Sequence, residues 1–364
     1  MKTRVVVAMS GGVDSSVAAA LLVQQGYDVV GLMMRLWGEP EAGGGVHNRC
    51  CSPDSMAQAR RVAEMFDIPF YVLDTQATFK ARIVDFFVEG YTSGVTPNPC
   101  IECNRHIRWE FLLKHALAMD AQYLATGHYA RVGTTTSNGI TNYQLLKGLD
   151  DKKDQSYVLS VMGQAQLQHA MFPVGEFTKP QIRDLAREFN LPVADRPESQ
   201  DLCFLADNDY RRFLTEHAAS GAIRPGPIAR GDGVIIGEHT GLPFYTIGQR
   251  KGIGVASPEP LYVIATRPET NTLIVGPAEA LGNDRLTAAR VNWVSGQPPT
   301  APIRALVKVR YKATPAWATI TPLPNQRVEV VLEQRLRDIT PGQAAVFYDE
   351  EVCLGGGIIQ RNSA

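Results

Sequence analysis

The stretch Ala8-Met-Ser-Gly-Gly-Val-Asp-Ser-Ser16 constrains the fold of this chain more than any other. It follows an apolar run, Arg4-Val-Val-Val-Ala8, that reads as a short buried strand. It leads into Val17-Ala-Ala-Ala-Leu-Leu-Val-Gln24, which reads as a helix with Ser15 or Ser16 near its start. Strand, glycine loop and helix together aim backbone N–H groups and a positive helix end at an anion, and phosphate oxygens suit both. Gly11 and Gly12 permit positive φ and close approach of a ligand to the backbone. Asp14 and the serines add side chains at the mouth. No Lys follows the glycines, so the Walker pattern G-x-x-x-x-G-K-[ST] is not met.

The expected architecture follows from the alternation of periods. Up to about residue 130, strands (Asp28 to Met34, Phe70 to Asp74, Tyr123 to Thr126) alternate with helices (Asp54 to Phe66, Gln76 to Tyr91, Ile107 to Met119). That is the signature of an α/β domain with a doubly wound, mostly parallel sheet, whose ligands bind at the carboxyl ends of the strands. The glycine loop, Met34, Asp74 and Thr126-Gly127-His128 all fall at such ends. Helical patterns follow at Lys179 to Phe189 and Asp207 to Ala219. Beyond Arg224 the chain is rich in Gly, Pro and Val with short strands, including Ile303 to Val309 and Ala344 to Tyr348, which reads as two small β-barrel domains. The expected boundaries are 1–165, 166–224, 225–285 and 286–364.

The cysteines divide by context. Cys353 in Val352-Cys-Leu354 reads as a buried strand residue. Cys100 and Cys103 form a C-x-x-C in the Pro- and Asn-rich loop Thr96-Pro-Asn-Pro-Cys-Ile-Glu-Cys-Asn-Arg105. Cys103 and Asn104 lead into a helix, whose positive end makes a thiol a better nucleophile. A four-cysteine zinc site needs two such halves, and the chain has one C-x-x-C. Cys203 follows the polar run Asp195-Arg-Pro-Glu-Ser-Gln-Asp201. Cys50 and Cys51 open the second helix with Ser52, either as redox partners or as packing residues. The stretch from Glu39 to His47, with its three glycines, reads as a mobile loop.

Taken with these motifs, the glycine loop resembles that of the PP-loop ATP pyrophosphatases, and the whole chain resembles the tRNA-specific 2-thiouridylase family. The resemblance rests on Ala8 to Ser15, Cys50-Cys-Ser52, Asn98-Pro-Cys-Ile-Glu-Cys-Asn104, Ala125-Thr-Gly-His-Tyr-Ala130, Lys153-Asp-Gln-Ser-Tyr157, Leu202-Cys-Phe204, Tyr245 to Gly252, Arg310-Tyr311 and Pro341-Gly-Gln343. It implies ATP-dependent 2-thiolation of the wobble uridine of tRNA through an adenylated intermediate, with release of AMP and pyrophosphate. It implies ATP contacts at Ala8, Met9, Ser10, Gly11, Gly12, Val13, Asp14, Ser15, Met34 and Gly127, with Mg²⁺ on the phosphates. It implies Cys203 as the persulfide carrier and Cys103 as partner thiol or nucleophile, the two passing through a transient disulfide. Asn98, Pro99 and Cys100 would contact the target base. His128, Lys153, Asp154, Gln155, Arg310, Tyr311 and Gln343 would touch tRNA, with both barrels on the tRNA side. The implied partners are tRNA and a persulfide-carrying sulfur donor protein, with no DNA and no membrane.

One position departs from the pattern. Many family members carry Asp where Cys100 stands. Cys100, Cys103 and Cys203 would together supply three thiolates, enough for a [4Fe–4S] cluster with one open iron. Cys100 is therefore a third thiol whose role as ligand, acid or bystander stays open.

Composition adds less. Net charge is −1, so bulk charge does not announce a nucleic-acid partner. Residues 281–340 are locally basic, with nine Lys/Arg against four Asp/Glu. Arg304, Lys308, Arg310 and Lys312 alternate as if along one strand face aimed at phosphates. No stretch is apolar for the roughly 18 residues a membrane span needs, and the N-terminal apolar run is too short for a signal peptide; the expected location is the cytoplasm. Two other functions fit parts of the chain: an AMP-forming amide ligase on the same scaffold, and a non-catalytic RNA-binding protein. Neither calls for the loop cysteines and the glycine loop together.

Overall fold

The computed structural model describes residues 2–40, 46–48, 51–137, 139–197, 202–337 and 339–361. The first unit starts with β1 (Arg4–Ala8), helix α1 (Val13–Gln24) and β2 (Asp28–Arg35). A two-residue hairpin follows, β3 (Glu39–Pro40) with β4 (Val46–His47), then helix α2 (Pro53–Met65), β5 (Phe70–Asp74) and β6 (Tyr123–Ala125). A longer hairpin, β7 (Ala130–Ser137) with β8 (Ile140–Lys147), precedes β9 (Ala170–Met171). The strands β5, β2, β1, β6 and β9 lie side by side in that order, every pair parallel. Val5, Val6 and Val7 of the central strand are wholly buried, as both faces of a parallel sheet must be. The alanines of α1 let that helix sit close on the sheet, with Val17, Ala18 and Ala19 fully buried.

The chain winds from β1 outward to β5, then returns to place β6 on the other side of β1. The switch point therefore lies between β1 and β6, where open α/β sheets bind ligands. The glycine loop leaves β1 there, and Thr126-Gly127-His128 leaves β6 beside it.

Two helices carry π turns that the sequence pattern does not announce. The helix expected over Gln76 to Tyr91 runs as Gln76–Phe79, a π segment Lys80–Val84, and Asp85–Thr92. The helix through the C-x-x-C begins earlier than expected, at Pro99. It passes through a ten-residue π segment, Cys103–Leu112, before ending as Leu113–Ala118.

The middle unit holds a four-stranded sheet of β10 (Gly226–Arg230), β11 (Ile235–His239), β12 (Tyr262–Arg267) and β13 (Thr272–Gly276). The last unit is a closed six-stranded antiparallel barrel of β14 (Asn283–Trp293), β15 (Ile303–Lys308), β16 (Ala316–Leu323), β17 (Arg327–Leu336), β18 (Ala344–Asp349) and β19 (Val352–Ile359). Pairing of β14 with β19 closes it, leaving no free edge between those strands. Val307, Ile320, Val330 and Phe347 fill its interior. The hairpin β7–β8, which belongs to the first unit in sequence, pairs through Leu145 and Leu146 with Cys353 and Val352 of β19. Cys353 is fully buried there, and burial pushes its thiol up. Among the described residues, no helix is long and apolar enough to cross a membrane.

Candidate active site

The glycine loop is held by its own side chains and by two cations from far along the chain. Ser15 Oγ accepts from the Ser10 amide at 3.1 Å and lies 3.1 Å from Ser10 Oγ, while Ser16 Oγ donates to the Gly12 carbonyl at 2.8 Å. Gly11 has φ +69°, and a Cβ there would stand 2.1 Å from the Ser55 carbonyl oxygen of α2. A Cβ at Gly127 would come within 2.7 Å of the Ser15 nitrogen, so β6 and the loop touch through a residue that must be glycine. Asp14 Oδ1 accepts from Tyr129 Oη at 2.8 Å and from Lys179 Nζ at 2.6 Å. Arg196 donates to the Gly11 carbonyl at 2.8 Å, to Asp54 Oδ2 at 2.7 Å and to Ser55 Oγ at 3.0 Å.

Lys179 and Arg196 were not legible as site residues in the sequence. Lys179 opens a helix behind Thr178 and Arg196 sits in a turn, so each reads locally as a surface cation. The one available signal was a Lys at a helix start next to Pro180, where a cation opposes the helix dipole. Together they bring two positive charges to a loop where the Walker pattern would supply one lysine.

The thiols separate in depth. Cys100 is exposed on the short turn Pro99–Glu102, which Asn98 caps by accepting from the Ile101 amide at 3.2 Å. Cys103 is buried and starts the π segment. Because π turns close i→i+5, Arg108 comes round toward Cys103, and its Nη1 donates to the sulfur at 3.3 Å. Cys103 packs in one apolar cluster with Phe87, Phe204 and Phe213, and the partly buried Cys203 and Met34 join the same cluster. Two cysteines a hundred residues apart thus share one apolar cluster with Met34, the strand-end methionine expected to flank adenosine. Cys51 shares this cluster and exchanges hydrogen bonds with the Leu36 backbone, accepting at 3.3 Å and donating at 3.6 Å, which pins the end of β2. Ser52 caps α2 by accepting from the Ser55 amide at 3.1 Å. Cys50 lies outside the described residues.

Models described as the tRNA methyl transferase HUP domain, the tRNA methyl transferase PRC-barrel domain and the aminomethyltransferase beta-barrel domain match residues 3–207, 211–277 and 283–359. A tRNA-specific 2-thiouridylase MnmA of Heliobacterium modesticaldum is 48% identical over 363 residues, spanning 100% of this chain and 94% of its own length. Those of Pelotomaculum thermopropionicum and Magnetococcus marinus are 47% and 48% identical, each covering 98% of its own length and 99% or 98% of this chain. The chain belongs to the tRNA-specific 2-thiouridylase family.

For this thiouridylase, the residues expected to touch tRNA fall into two groups. Lys153 is half-buried on a turn, and Tyr311 is half-buried with Lys308 Nζ 5.6 Å from its ring centre. The rest are bonded within the chain, His128 and Asp154 buried and Gln155, Arg310 and Gln343 half-buried. His128 is buried, bonded to Thr126 Oγ1 at 2.7 Å, and burial together with the nearby Arg108 lowers its pKa to about 3. Asp154 is buried and accepts from the Gly148 and Ser156 amides at 3.1 Å each and from Ser156 Oγ at 2.8 Å. Gln155 Oε1 accepts from the Tyr129 amide at 2.9 Å. Gln343 donates to the Thr96 carbonyl at 2.9 Å and accepts from Asn98 Nδ2 at 3.4 Å, so the barrel grips the loop that presents Cys100. Arg310 donates to the Ile247 carbonyl at 3.0 Å and bonds Thr340, tying the middle unit to the barrel.

The expected basic strand face is corrected by the structure. The strand β15 ends at Lys308, so Arg310 and Lys312 lie in the turn beyond it. Arg304 is paired with Glu333 at 2.7 Å and lies over the Trp317 ring at 4.1 Å. Spacing over the nine residues from Arg304 to Lys312 looked like one strand because turn residues carry no marker once Gly and Pro are absent. The Glu39 to His47 loop needs a similar correction at its start: Glu39 is buried and bonded rather than mobile, while residues 41–45 lie outside the described residues.

Proposed function

We propose that this chain, a tRNA sulfurtransferase of its family, 2-thiolates the wobble uridine by adenylation followed by attack of a cysteine persulfide. The observation that carries the reading is the shared packing of Cys103, Cys203 and Met34 at the strand end next to the glycine loop. That packing supports a reading in which the two chemical steps share one place.

The uridine 2-oxygen is a poor leaving group, and transfer of AMP to it releases pyrophosphate and turns it into a good one. The loop amides, with Ser10 and Ser15, would grip the phosphates; Asp14 is the loop's hard oxygen donor and fits a Mg²⁺ on them. Lys179 and Arg196 would offset charge on departing pyrophosphate. Asn98, Pro99 and Cys100, on the loop gripped by Gln343, would meet the base. The terminal sulfur of a Cys203 persulfide attacks C2 and AMP leaves with the oxygen. The Cys103 thiolate then attacks the Cys203 sulfur, cleaving the S–S bond. The product is 2-thiouridine and a Cys103–Cys203 disulfide, which an external thiol reduces before a persulfide-carrying donor protein reloads Cys203. Arg108, which donates to the Cys103 sulfur, would orient it for that attack. Lys153, Tyr311, His128, Asp154, Gln155 and Arg310 then serve tRNA either directly or by shaping the surface that meets it. The boundaries 165, 224 and 285 are our proposed domain limits.

A second reading keeps the product and replaces the persulfide with a [4Fe–4S] cluster on Cys100, Cys103 and Cys203. The exposure of Cys100, against the burial of Cys103 and the half-burial of Cys203, favours the two-cysteine route. Nucleoside mass spectrometry of tRNA incubated anaerobically with the protein, Mg-ATP and a persulfide donor decides between them. Formation of 2-thiouridine, abolished in Cys103→Ala and Cys203→Ala and retained in Cys100→Ala, supports the persulfide route. Loss in all three variants moves the cluster forward, and absence of 2-thiouridine with the wild-type chain removes thiolation itself.

A further inference from the structure

Glu39 belongs to none of the sequence motifs, yet the residue is only 4% exposed. Its Oε1 accepts from Arg212 Nη1 at 2.9 Å, and its Oε2 accepts from Arg212 Nη2 at 2.8 Å and from the Ala206 amide at 2.8 Å. Burial alone would raise this carboxyl; the bonds from Arg212 and Ala206 outweigh it and hold the group below its usual range. Arg212 also donates to Asp207 at 2.7 Å and to Glu216 at 2.6 Å. Two residues before Glu39, Trp37 stands edge-on to Phe213 at 6.3 Å and to His217 at 5.8 Å. The continuation of β2 is thereby fastened to the helix Tyr210–His217 and to the backbone three residues past Cys203. Glu39, Glu216 and His217 also lie close enough together to suggest a cation site. The guanidinium of Arg212 already bonds both carboxylates, so the cluster is a clamp.

A buried ion pair seldom stabilises a fold more than apolar packing of the same volume. What a bidentate pair supplies is direction, since both guanidinium nitrogens and both oxygens must align. We propose that Glu39 is a positioning residue for sulfur transfer: through Arg212 and the Ala206 amide it sets where Cys203 stands relative to Cys103. This rests on the persulfide reading above.

Adenylation needs the glycine loop but not Cys203, so the two steps can be read apart. The full-length chain and its Glu39→Ala, Glu39→Gln and Arg212→Lys variants are given tRNA, Mg-ATP and cysteine persulfide, and the pyrophosphate burst and the 2-thiouridine formed per pyrophosphate are measured. We expect a burst within about twofold of wild type and a ratio lowered roughly tenfold or more in Glu39→Ala, with smaller losses in the two conservative variants. Amide exchange over residues 202–208 rises in the same order. An unchanged ratio overturns the proposal, and so does a burst that falls in parallel with the ratio, because that marks a general structural role. If the wild-type chain makes no 2-thiouridine, the persulfide reading fails by itself. The yield of Cys103–Cys203 disulfide under diamide, which needs no tRNA, then decides for Glu39: a fall in Glu39→Ala supports positioning and no change overturns it.

Discussion

The glycine loop and the cysteine pair sit at neighbouring strand ends and are built in opposite ways. The loop is local: seven consecutive residues from Ser10 to Ser16 supply its glycines, hydroxyls and carboxylate, and its backbone conformation is fixed by contact with α2 and β6. The cysteine site is assembled. Cys103 arrives on a π-helical segment and Cys203 on a loop a hundred residues later, and both pack in one apolar cluster with Phe87 and Phe213 from two helices and Phe204 from that loop. A local site tolerates loss of distant contacts and fails when its backbone is disturbed. An assembled site keeps its parts when one support is lost, but their alignment drifts.

Substitutions should separate the two in order of severity. Gly11→Ala is expected to have the largest effect, because the methyl group would meet the Ser55 carbonyl at 2.1 Å in a backbone conformation that disfavours it. Pyrophosphate release with tRNA and Mg-ATP should fall by about a hundredfold, since an ångström of displacement at a phosphate grip costs that much. Wild-type release in this variant would break the view that the loop is a rigid local device. Next, Cys103→Ala should abolish 2-thiouridine while leaving the pyrophosphate burst intact, measured in one assay by mass spectrometry and phosphate detection; loss of the burst as well would mean the two sites are not separable.

Arg196→Ala should raise the KM for ATP by roughly tenfold, the scale of one charge-assisted hydrogen bond to a phosphate, with tRNA affinity unchanged. Gln343→Ala sharpens the comparison from the assembled side. It frees the Thr96 carbonyl and Asn98, so thiolation should slow by roughly threefold at saturating tRNA, the effect of one neutral hydrogen bond. A change in tRNA affinity and its salt dependence instead would mark Gln343 as a direct tRNA contact. The smallest effect concerns His128. Its pKa in the folded chain is about 3, whereas the unfolded chain takes up the proton near the ordinary value of about 6.5. The unfolded state therefore binds more protons between these values, and His128 stabilises the fold above about pH 6.5 and loses that contribution as pH falls toward 3. Thermal melting from pH 7 to pH 4.5 should show a shallower decline in His128→Asn than in wild type; parallel declines would refute the buried neutral ring.

Much of this was legible in the residues. The strands β2 and β5 were placed almost to their observed ends because apolar runs bounded by turn residues mark parallel strands well. Cys353 as a buried strand residue and the glycine loop between β1 and α1 followed from the same logic. The hairpin β7–β8 escaped notice because Thr134, Thr135 and Thr136 with Asn142 make it polar along most of its length; what defines it is its pairing with β19, two hundred residues away. Arg310, Gln343 and Asp154 read as surface groups because polar residues beside Gly and Pro look alike whether they meet solvent or another domain. Glu39 read as part of a loop for the same reason.

The sequence by itself determined the alternating sheet and the barrels behind it, and it marked the glycine loop and the candidate thiols. These depend on short-range patterns, whose meaning is carried by neighbouring residues. Only the tertiary structure decided that Lys179 and Arg196 serve the loop, that Arg108 faces Cys103, that Gln343 holds the Asn98 turn and that Glu39 clamps the segment bearing Cys203. Each is a polar contact between residues whose local surroundings would suit open solvent equally well. A hydrogen bond across such a distance is written in the packing of whole elements, and no local period records it.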